Sequence, residues 1–153
     1  MQPNAEQLRA WESFLRAHAA VLPILARELD QAQRIPLNEY DVLVQLAAAR
    51  ERRMRLNELN QCVVLSQSAL SRLVDRMAAG KLVAREPDPT DRRGTLVSIT
   101  RLGIAALRRA APVHLSGIER HFAAHMSAAE ARTLAEVFDR VRAAATASSP
   151  RER

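Results

Sequence analysis

The chain has 153 residues, 48% of them hydrophobic and only 3% aromatic, which indicates one domain with an aliphatic core. Its net charge of +6 and pI near 11.0 favour a polyanionic partner such as nucleic acid. The single cysteine, Cys62, excludes an intrachain disulfide framework, and the lack of a signal-peptide pattern or a long apolar run predicts a cytoplasmic protein with no membrane contact.

The N-terminal segment predicts a long helix over residues 6–31. Its apolar residues recur at spacings of three and four, so they form a narrow seam instead of a broad stripe. Pro23 lies inside the pattern and predicts a kink, because proline removes a backbone hydrogen bond and crowds the preceding turn. The seam consists of Leu8, Trp11, Leu15, His18, Leu22, Leu25 and Leu29.

Two further helices follow. Asn38 is expected to cap the first, which reaches about Ala49, and Asn57 is expected to cap the second, which ends at Cys62. Between them lies a basic corner, residues 50–55. Its arginines are equally compatible with a solvated loop and with a phosphate contact beside a DNA-binding motif.

The next helix is the most informative one. Ser66 can cap its start, Gly80 can end it, and apolar residues at helical spacing give it a buried face over Gln67–Ala79. The opposite face carries short hydrogen-bonding groups and cations, the side-chain types that read base edges and bind phosphates. These residues are Gln67, Ser68, Ser71, Arg72 and Arg76.

A charged hairpin follows this helix directly. Two strand-like runs, Leu82–Glu86 and Thr95–Ile99, flank an arginine-rich turn over Pro87–Gly94. A helix, a turn, a second helix and then a basic hairpin form the minimum unit of a winged helix, whose second helix enters the major groove of DNA. Double-stranded DNA is therefore the predicted partner.

The C-terminal third predicts two more helices. Thr100 is expected to cap the first, which runs to about His125 with another kink near Pro112. A capping box from Ser127 to Glu130 then starts the last helix. Its apolar residues are expected to point inward: Leu134, Val137, Phe138 and Val141.

The first helix and the last two each carry an apolar seam that a small winged helix cannot cover alone. Exposed apolar faces of this length usually mark an interface, so the chain is predicted to form a homodimer. Such a dimer would present two recognition helices to a pseudo-palindromic DNA site. An intramolecular helical bundle is the alternative that the sequence leaves open.

The hairpin reads DPTDRR from Asp88, and VSIT from Val97 with a glycine at Gly103 follows it. This pattern resembles the wing signature of the MarR family of bacterial transcription regulators, and the resemblance extends over most of the chain. It implies a mainly α fold with a small β-hairpin, a winged helix-turn-helix with N- and C-terminal dimerisation helices. The implied function is that of a sequence-specific, ligand-responsive repressor, not of an enzyme.

On this interpretation residues 1–35 form the N-terminal dimerisation helix and residues 36–100 form the DNA-binding domain. Residues 101–147 supply the C-terminal dimerisation helices, and residues 148–153 are an expected disordered tail. All of these segments belong to one compact fold.

The predicted DNA contacts lie on the recognition helix and at the tip of the wing. Base edges are assigned to the first turns of the helix, and a phosphate is assigned to Arg76. The resemblance implies that Arg92 or Arg93 enters the minor groove while Asp91 orients an arginine by a charge-assisted hydrogen bond. The helix contacts are Ser66, Gln67, Ser68, Ser71, Arg72 and Arg76.

The resemblance also implies an effector pocket where the dimer helices meet the winged helix, often occupied by small aromatic or organic acids. Trp11, His18 and His114 are the candidates to line it, because the two histidines occupy seam positions near the expected kinks. The alternative is that both histidines are hydrogen-bonded core residues. No metal and no resident cofactor are expected.

Other functions remain open at this stage. Cys62 suggests a redox sensor, and His121 with His125, four residues apart on one expected helix face, suggests a metal sensor. A weakly specific architectural DNA-binding protein and a winged helix used only for protein contacts are further alternatives. The sequence has no phosphate-binding glycine loop and no spaced nucleophile–base set, so catalysis is not predicted.

Overall fold

The computed structural model describes residues 2–148, apart from the side chains of Arg92, Arg93 and Ser148. The chain divides into two compact units, residues 1–115 and residues 116–153. Of the predicted tail, only the end of the last helix at Ser148 falls within the described range. The helices are α1 (Ala5–Gln31), α2 (Leu37–Ala48), α3 (Leu56–Cys62), α4 (Gln67–Ala79), α5 (Arg101–His121) and α6 (Ala128–Ser148), and the strands are β1 (Arg53–Arg55), β2 (Val83–Asp88) and β3 (Asp91–Ile99).

Helix α1 begins with a capping box and continues through Pro23 without a break. The backbone N–H of Gln7 donates to Asn4 Oδ1 (2.8 Å), and that of Asn4 donates to Gln7 Oε1 (2.9 Å). Only Leu25 and Leu29 of the predicted seam are buried. Val21 and Ile24 are half-buried, and five further large apolar side chains of α1 are exposed by 37–57%: Leu8, Trp11, Phe14, Leu15 and Leu22.

The predicted N-caps of the next two helices are both wrong by two residues. Helix α2 starts after Pro36, which suits a helix start because proline has no N–H to leave unpaired, and Asn38 lies inside the first turn. Helix α3 starts after Arg55, whose N–H donates to Glu58 Oε2 (3.2 Å), and Asn57 lies inside the helix. In both cases the asparagine amide oxygen accepts from the next residue's N–H instead of capping the helix.

The β-structure is larger than predicted. The basic corner contains a short strand, β1, which pairs antiparallel with β3, and the sheet order is β1-β3-β2. Strand β2 extends to Asp88 and β3 begins at Asp91, so the predicted eight-residue turn shortens to Pro89 and Thr90. The hairpin is therefore a stiffer and longer arm than the sequence suggested.

The core of the unit formed by residues 1–115 is aliphatic, as the composition predicts. It joins α2, α3 and α4 to the sheet and to α5, and the predicted apolar face of α4 is fully part of it. A smaller cluster of Leu29, Tyr40 and Ala110 connects α1, α2 and α5. The main cluster comprises Val42, Leu43, Leu46, Leu59, Leu70, Leu73, Val74, Met77, Val83, Val97, Ile99 and Ala106.

Thr100 caps α5 as predicted, because its Oγ1 accepts from the N–H of Gly103 (3.0 Å). The helix then continues through Pro112 but ends at His121, not at His125. Phe122 leaves the helical conformation (φ −138°, ψ −62°), and a 3-10 turn covers Ala123–His125. The expected shared helix face of His121 and His125 is therefore absent.

In the unit formed by residues 116–153, the predicted capping box starts α6. The N–H of Ser127 donates to Glu130 Oε2 (2.7 Å), and the N–H of Glu130 donates to Ser127 Oγ (3.3 Å). Of the four residues expected to point inward, Leu134 is half-buried, but the expectation is wrong for the other three in the single chain, because Val137 (38%), Phe138 (38%) and Val141 (60%) are exposed. No helix in the described part of the chain combines the length and the apolar character that crossing a membrane requires.

Candidate nucleic-acid interface

Helix α4 presents the polar face that the sequence predicts. The N–H of Ala69 donates to Ser66 Oγ (3.2 Å), so the Ser66 hydroxyl is used as the N-cap. Ser71 is half-buried, and the remaining predicted contacts of the helix are exposed. These exposed residues are Gln67, Ser68, Arg72 and Arg76.

Two of the charged residues on α4 interact with neighbouring elements. Burial raises the pKa of Glu39 on α2, and the nearby Arg76 guanidinium partly offsets this by lowering it. Asp75 forms an ion pair with Arg85 of β2. Because Asp75 lies on the exposed face of α4, this ion pair offsets a carboxylate that would otherwise repel DNA phosphates.

The turn of the hairpin is organised by Asp88 at the end of β2. Its Oδ1 accepts from the backbone N–H (2.8 Å) and the Oγ1 hydroxyl (2.7 Å) of Thr90. Its Oδ2 accepts from Arg55 Nε (2.6 Å), and a terminal nitrogen of Arg55 donates to Thr90 Oγ1 (2.7 Å). The Thr90 bonds, and secondarily the Arg55 guanidinium, hold the pKa of Asp88 below its usual value.

The predicted wing-tip residues lie on β3. Asp91 is the first residue of that strand and is exposed, and the backbones of Arg92 and Arg93 follow in the same strand. The two arginine side chains fall outside the described set. The assignment of minor-groove contact to one of them, with Asp91 as the orienting carboxylate, stays a prediction.

The basic corner divides into parts with different surroundings. Glu51 (φ 55°) and Arg52 (φ 56°) both adopt the left-handed conformation, which makes a tight turn before β1. Arg53 forms an ion pair with Glu51, and Arg55 reaches the wing turn. All four arginines of the corner are exposed, and because Arg53 and Arg55 are held by carboxylates, a phosphate contact from this corner would come from Arg50 and Arg52.

The three predicted effector-pocket residues lie in two different surroundings of the unit formed by residues 1–115. Trp11 and His18 are exposed on α1, with Phe14 between them at ring-centroid distances of 5.9 Å and 6.2 Å respectively. His114 on α5 instead packs on Tyr40 of α2, with ring centroids 4.4 Å apart. None of the three lines the cavity of about 260 Å³ that is formed by Gln33, Arg34, Ile35, Ala106 and Arg109.

His114 is the most buried histidine candidate. Its Nδ1 has no hydrogen-bond partner among the described residues, so the predicted alternative of a hydrogen-bonded core histidine does not hold for this atom. Burial lowers the pKa of His114 below its ordinary value of 6.5, and the carboxylate of Asp41 partly counteracts this. Burial in turn raises the pKa of Asp41.

These shifts predict a pH dependence of stability. Because the folded chain holds His114 with a lowered pKa, the unfolded chain binds more protons just below pH 6.5, and stability is lost as the pH falls through that range. We expect the thermal midpoint of His114→Gln to fall less between pH 7.5 and 5.5 than that of the wild type, by about 2 °C. His125→Gln, at an exposed histidine, is the control and should follow the wild type; equal pH dependence of all three proteins would contradict the prediction.

The structure gives little support to the redox-sensor and metal-sensor alternatives. Cys62 is a free, exposed thiol at the end of α3. Within residues 2–148 there is no group of three or more histidine, cysteine, aspartate or glutamate side chains placed to hold a metal ion.

Several residues of the interface were not singled out from the sequence. Asp88 and Thr90 lie two residues apart in the hairpin turn, and Arg55, 33 positions before Asp88, meets them because β1 pairs with β3 beside the hairpin. Asp75 and Arg85 likewise meet across the gap between α4 and β2. The sequence signal that could have pointed to Asp88 is its position immediately before Pro89, because aspartates at such turns often accept a hydrogen bond from the backbone two residues later.

The order α3, turn, α4 and β2–β3 hairpin, with a third strand alongside, defines the chain as a winged-helix protein. A model of the MarR family matches residues 35–94, which cover the helix-turn-helix and most of the wing. The helix-turn-helix and wing segment is therefore similar to the MarR family, as the sequence resemblance suggested, and the predicted fold class is confirmed.

Individual proteins show the same similarity. The chain is 29% identical over 86 residues to the HTH-type transcriptional regulator MhqR of Bacillus subtilis, and the match covers 56% of this chain and 59% of that relative. AbsC, a MarR family transcriptional regulator from Streptomyces coelicolor, has a similar structure, with a TM-score of 0.83 and 26% identity over 97% of this chain and 99% of that one. Sco3205, a MarR family transcriptional regulator from the same organism solved in complex with DNA, gives a TM-score of 0.81 and 29% identity over 100% of this chain and 94% of that one.

Proposed function

We propose that this chain is a sequence-specific, DNA-binding transcription regulator that acts as a homodimer on a pseudo-palindromic operator. The observation that carries the proposal is the exposed polar face of α4, which stands beside a basic hairpin and contains the side-chain types that read bases. The solved complex of Sco3205 with DNA supports the same use of this fold. A regulator of this kind must reach the chromosome, so we place it in the cytoplasm.

Homodimerisation follows from the exposed apolar residues. Helix α1 exposes five large apolar side chains, and in the other unit α6 exposes a second apolar face. Apolar faces of this extent are stabilised by a partner surface, and the family is dimeric. A second copy would also place a second recognition helix on the next half-site of the DNA.

Ligand-responsive repression, which is typical of the family, is the regulatory output that we propose. The effector would be a small organic or aromatic acid, and the candidates to contact it remain Trp11, His18 and His114. The arginine pair that lines the cavity, Arg34 and Arg109, offers a second place where a carboxylate would be held. The effector must bind the DNA-competent and DNA-incompetent states with different affinity, since equal affinity would shift nothing.

The function is tested by footprinting on the promoter region beside the chain's own gene, against unrelated competitor DNA at near-physiological salt. A protected, two-fold symmetric site of about two helical turns supports a dimeric specific regulator. Binding that is labile to salt and has no preferred site would replace it by the architectural function. Absence of binding would instead favour a role in protein contacts.

The exposed guanidinium of Arg72 gives a sharper prediction. We expect Arg72→Ala to weaken binding to the preferred site by about tenfold while binding to unrelated DNA changes little, because a base contact carries about 1–3 kcal/mol of discrimination. Competition binding of wild type and variant on both DNAs measures this. Equal weakening on all sequences would reassign Arg72 to a phosphate contact.

A further inference from the structure

Asp88 is the one charged side chain that is buried among the described residues, with 5% exposure. A buried carboxylate is costly unless hydrogen bonds and an opposite charge offset its desolvation. Asp88 has both, although it lies at the end of a surface hairpin and not in the aliphatic core. A residue so completely satisfied at that place needs a reason beyond general stability.

The contacts of Asp88 form a closed ring. Arg55 donates to Asp88 through Nε and to Thr90 Oγ1 through a terminal nitrogen, and Thr90 donates to Asp88 through both its N–H and its hydroxyl. The ring joins the turn between β2 and β3 to the junction of β1 and α3. Both ends of the hairpin turn are therefore tied to the helix-turn-helix at one point.

The position of Gly94 fits the same arrangement. A Cβ added there would lie 2.9 Å from Asp88 Cβ and 3.2 Å from Asp88 Oδ2. Only a residue without a side chain leaves room for the carboxylate beneath β3. The strand that carries the two wing arginines therefore crosses directly over the ring.

We propose that Asp88 is the positioning residue of the wing, and that Arg55 acts by holding Asp88 instead of contacting a DNA phosphate. The ring fixes the direction in which β3 leaves the turn, and thus where Arg92 and Arg93 are presented. This inference rests on the proposed DNA-binding function. It assigns to Asp88 a role separate from that of Asp91, which the family resemblance makes the partner of a wing arginine.

The proposal predicts that Asp88→Asn lowers the affinity for DNA, which is opposite to the change that simple electrostatics predicts. Asp88→Asn removes a negative charge from the DNA-binding side, which by itself would tighten binding to a polyanion. Loss of the wing position would weaken binding instead. Asparagine has almost the same size, but it has one oxygen where aspartate has two. It therefore cannot accept both from Thr90, as Asp88 Oδ1 does, and from Arg55, as Asp88 Oδ2 does.

The test compares Asp88→Asn with Glu86→Gln in the full-length chain. Glu86 lies on the same strand and is exposed, so its substitution removes the same charge without touching the ring. We expect Asp88→Asn to raise the Kd for DNA about tenfold and to reduce the slope of log affinity against log salt by about one to two phosphate contacts. Glu86→Gln should bind as tightly as the wild type or more tightly, with an unchanged slope.

The role of Arg55 is separated by a double-substitution cycle. If Arg55 acts through Asp88, Arg55→Gln weakens binding in the wild-type background and adds little in the Asp88→Asn background. If Arg55 instead contacts a phosphate, the loss is the same in both backgrounds and the proposal for Arg55 is overturned. A thermal melting curve of each variant shows whether it is folded at the temperature of the binding assay.

Failure of the proposal is distinguishable from failure of the proposed function. Wild-type protein that binds no DNA would remove the function, whereas an Asp88→Asn variant that binds like Glu86→Gln would remove only the positioning role. Amide hydrogen exchange in the free protein gives a readout that needs no DNA. Faster exchange over residues 86–96 in Asp88→Asn than in Glu86→Gln supports the proposal, and identical exchange overturns it.

Discussion

Gly103→Ala is expected to destabilise the chain by about 3 kcal/mol, the largest effect on stability that we predict for a single methyl group. Gly103 lies in the first turn of α5, where the helix crosses the segment before β2. A Cβ at this residue would lie 2.1 Å from the carbonyl oxygen of Leu82 and 2.8 Å from Ile99 Cγ1. The carbonyl cannot move away easily, because it also accepts from the N–H of Thr100 (3.1 Å).

Gly80→Ala is the matched control. Gly80 ends α4 at φ −77°, and a Cβ there would meet its nearest neighbours at 3.5 Å and 3.6 Å, which are ordinary contacts. We expect a change within about 0.5 kcal/mol for this variant, because alanine fits the conformation and restricts the unfolded chain. Thermal and urea unfolding would show a fall in midpoint of roughly 10 °C for Gly103→Ala alone. Similar midpoints for the two variants would mean that α5 can shift away from Leu82.

Elements set by local chemistry were predicted well from the sequence. The bounds of α4 follow from the Ser66 hydroxyl at its start and Gly80 at its end, and its buried face follows from the helical spacing of leucine, valine and methionine. The capping box at Ser127 is similar, since both partners lie within one turn. In these places the deciding interactions connect residues three or four apart, so the sequence contains them directly.

Features that depend on distant partners were not predicted. Strand β1 has no strand-like pattern and exists because Arg53–Arg55 pairs with residues 96–98, more than forty positions later. The ring at Asp88 depends on that pairing, because β1 brings Arg55 to the turn. The pairing of β2 with β3 explains why both strands of the hairpin extend beyond the apolar runs that suggested them.

The starts of α2 and α3 were placed too late from the sequence. Asn38 and Asn57 are good capping residues in isolation, but Pro36 and the N–H of Arg55, bonded to the Glu58 carboxylate, already mark the helix starts. Phe122 ended α5 earlier than the apolar spacing indicated. A seam pattern therefore predicts which side of a helix is apolar better than it predicts where the helix stops.

The second large effect concerns the apolar face of α1. We expect Leu15→Glu to convert the proposed dimer into a monomer and to lower affinity for a two-half-site operator by at least about 100-fold. Leu15 is 45% exposed in the single chain and lies on the same side of α1 as Trp11 and Leu22, so a glutamate there would place a charge in the proposed interface. A monomer would bind one half-site only and lose the gain that linking two binding modules provides.

Ser13→Glu adds the same charge on the opposite, polar side of α1 and is the matched control. Sedimentation equilibrium measures the oligomeric state, and binding to a single and a symmetric half-site pair measures the affinity. The dimer interpretation requires that Leu15→Glu lose the preference for the paired site while its affinity for a single half-site stays close to that of the wild type, because α4 and the wing are unchanged. If Leu15→Glu remains dimeric, the dimer interface does not include this part of α1 and the proposed interface is overturned, whereas a monomeric wild type would favour the helical-bundle alternative.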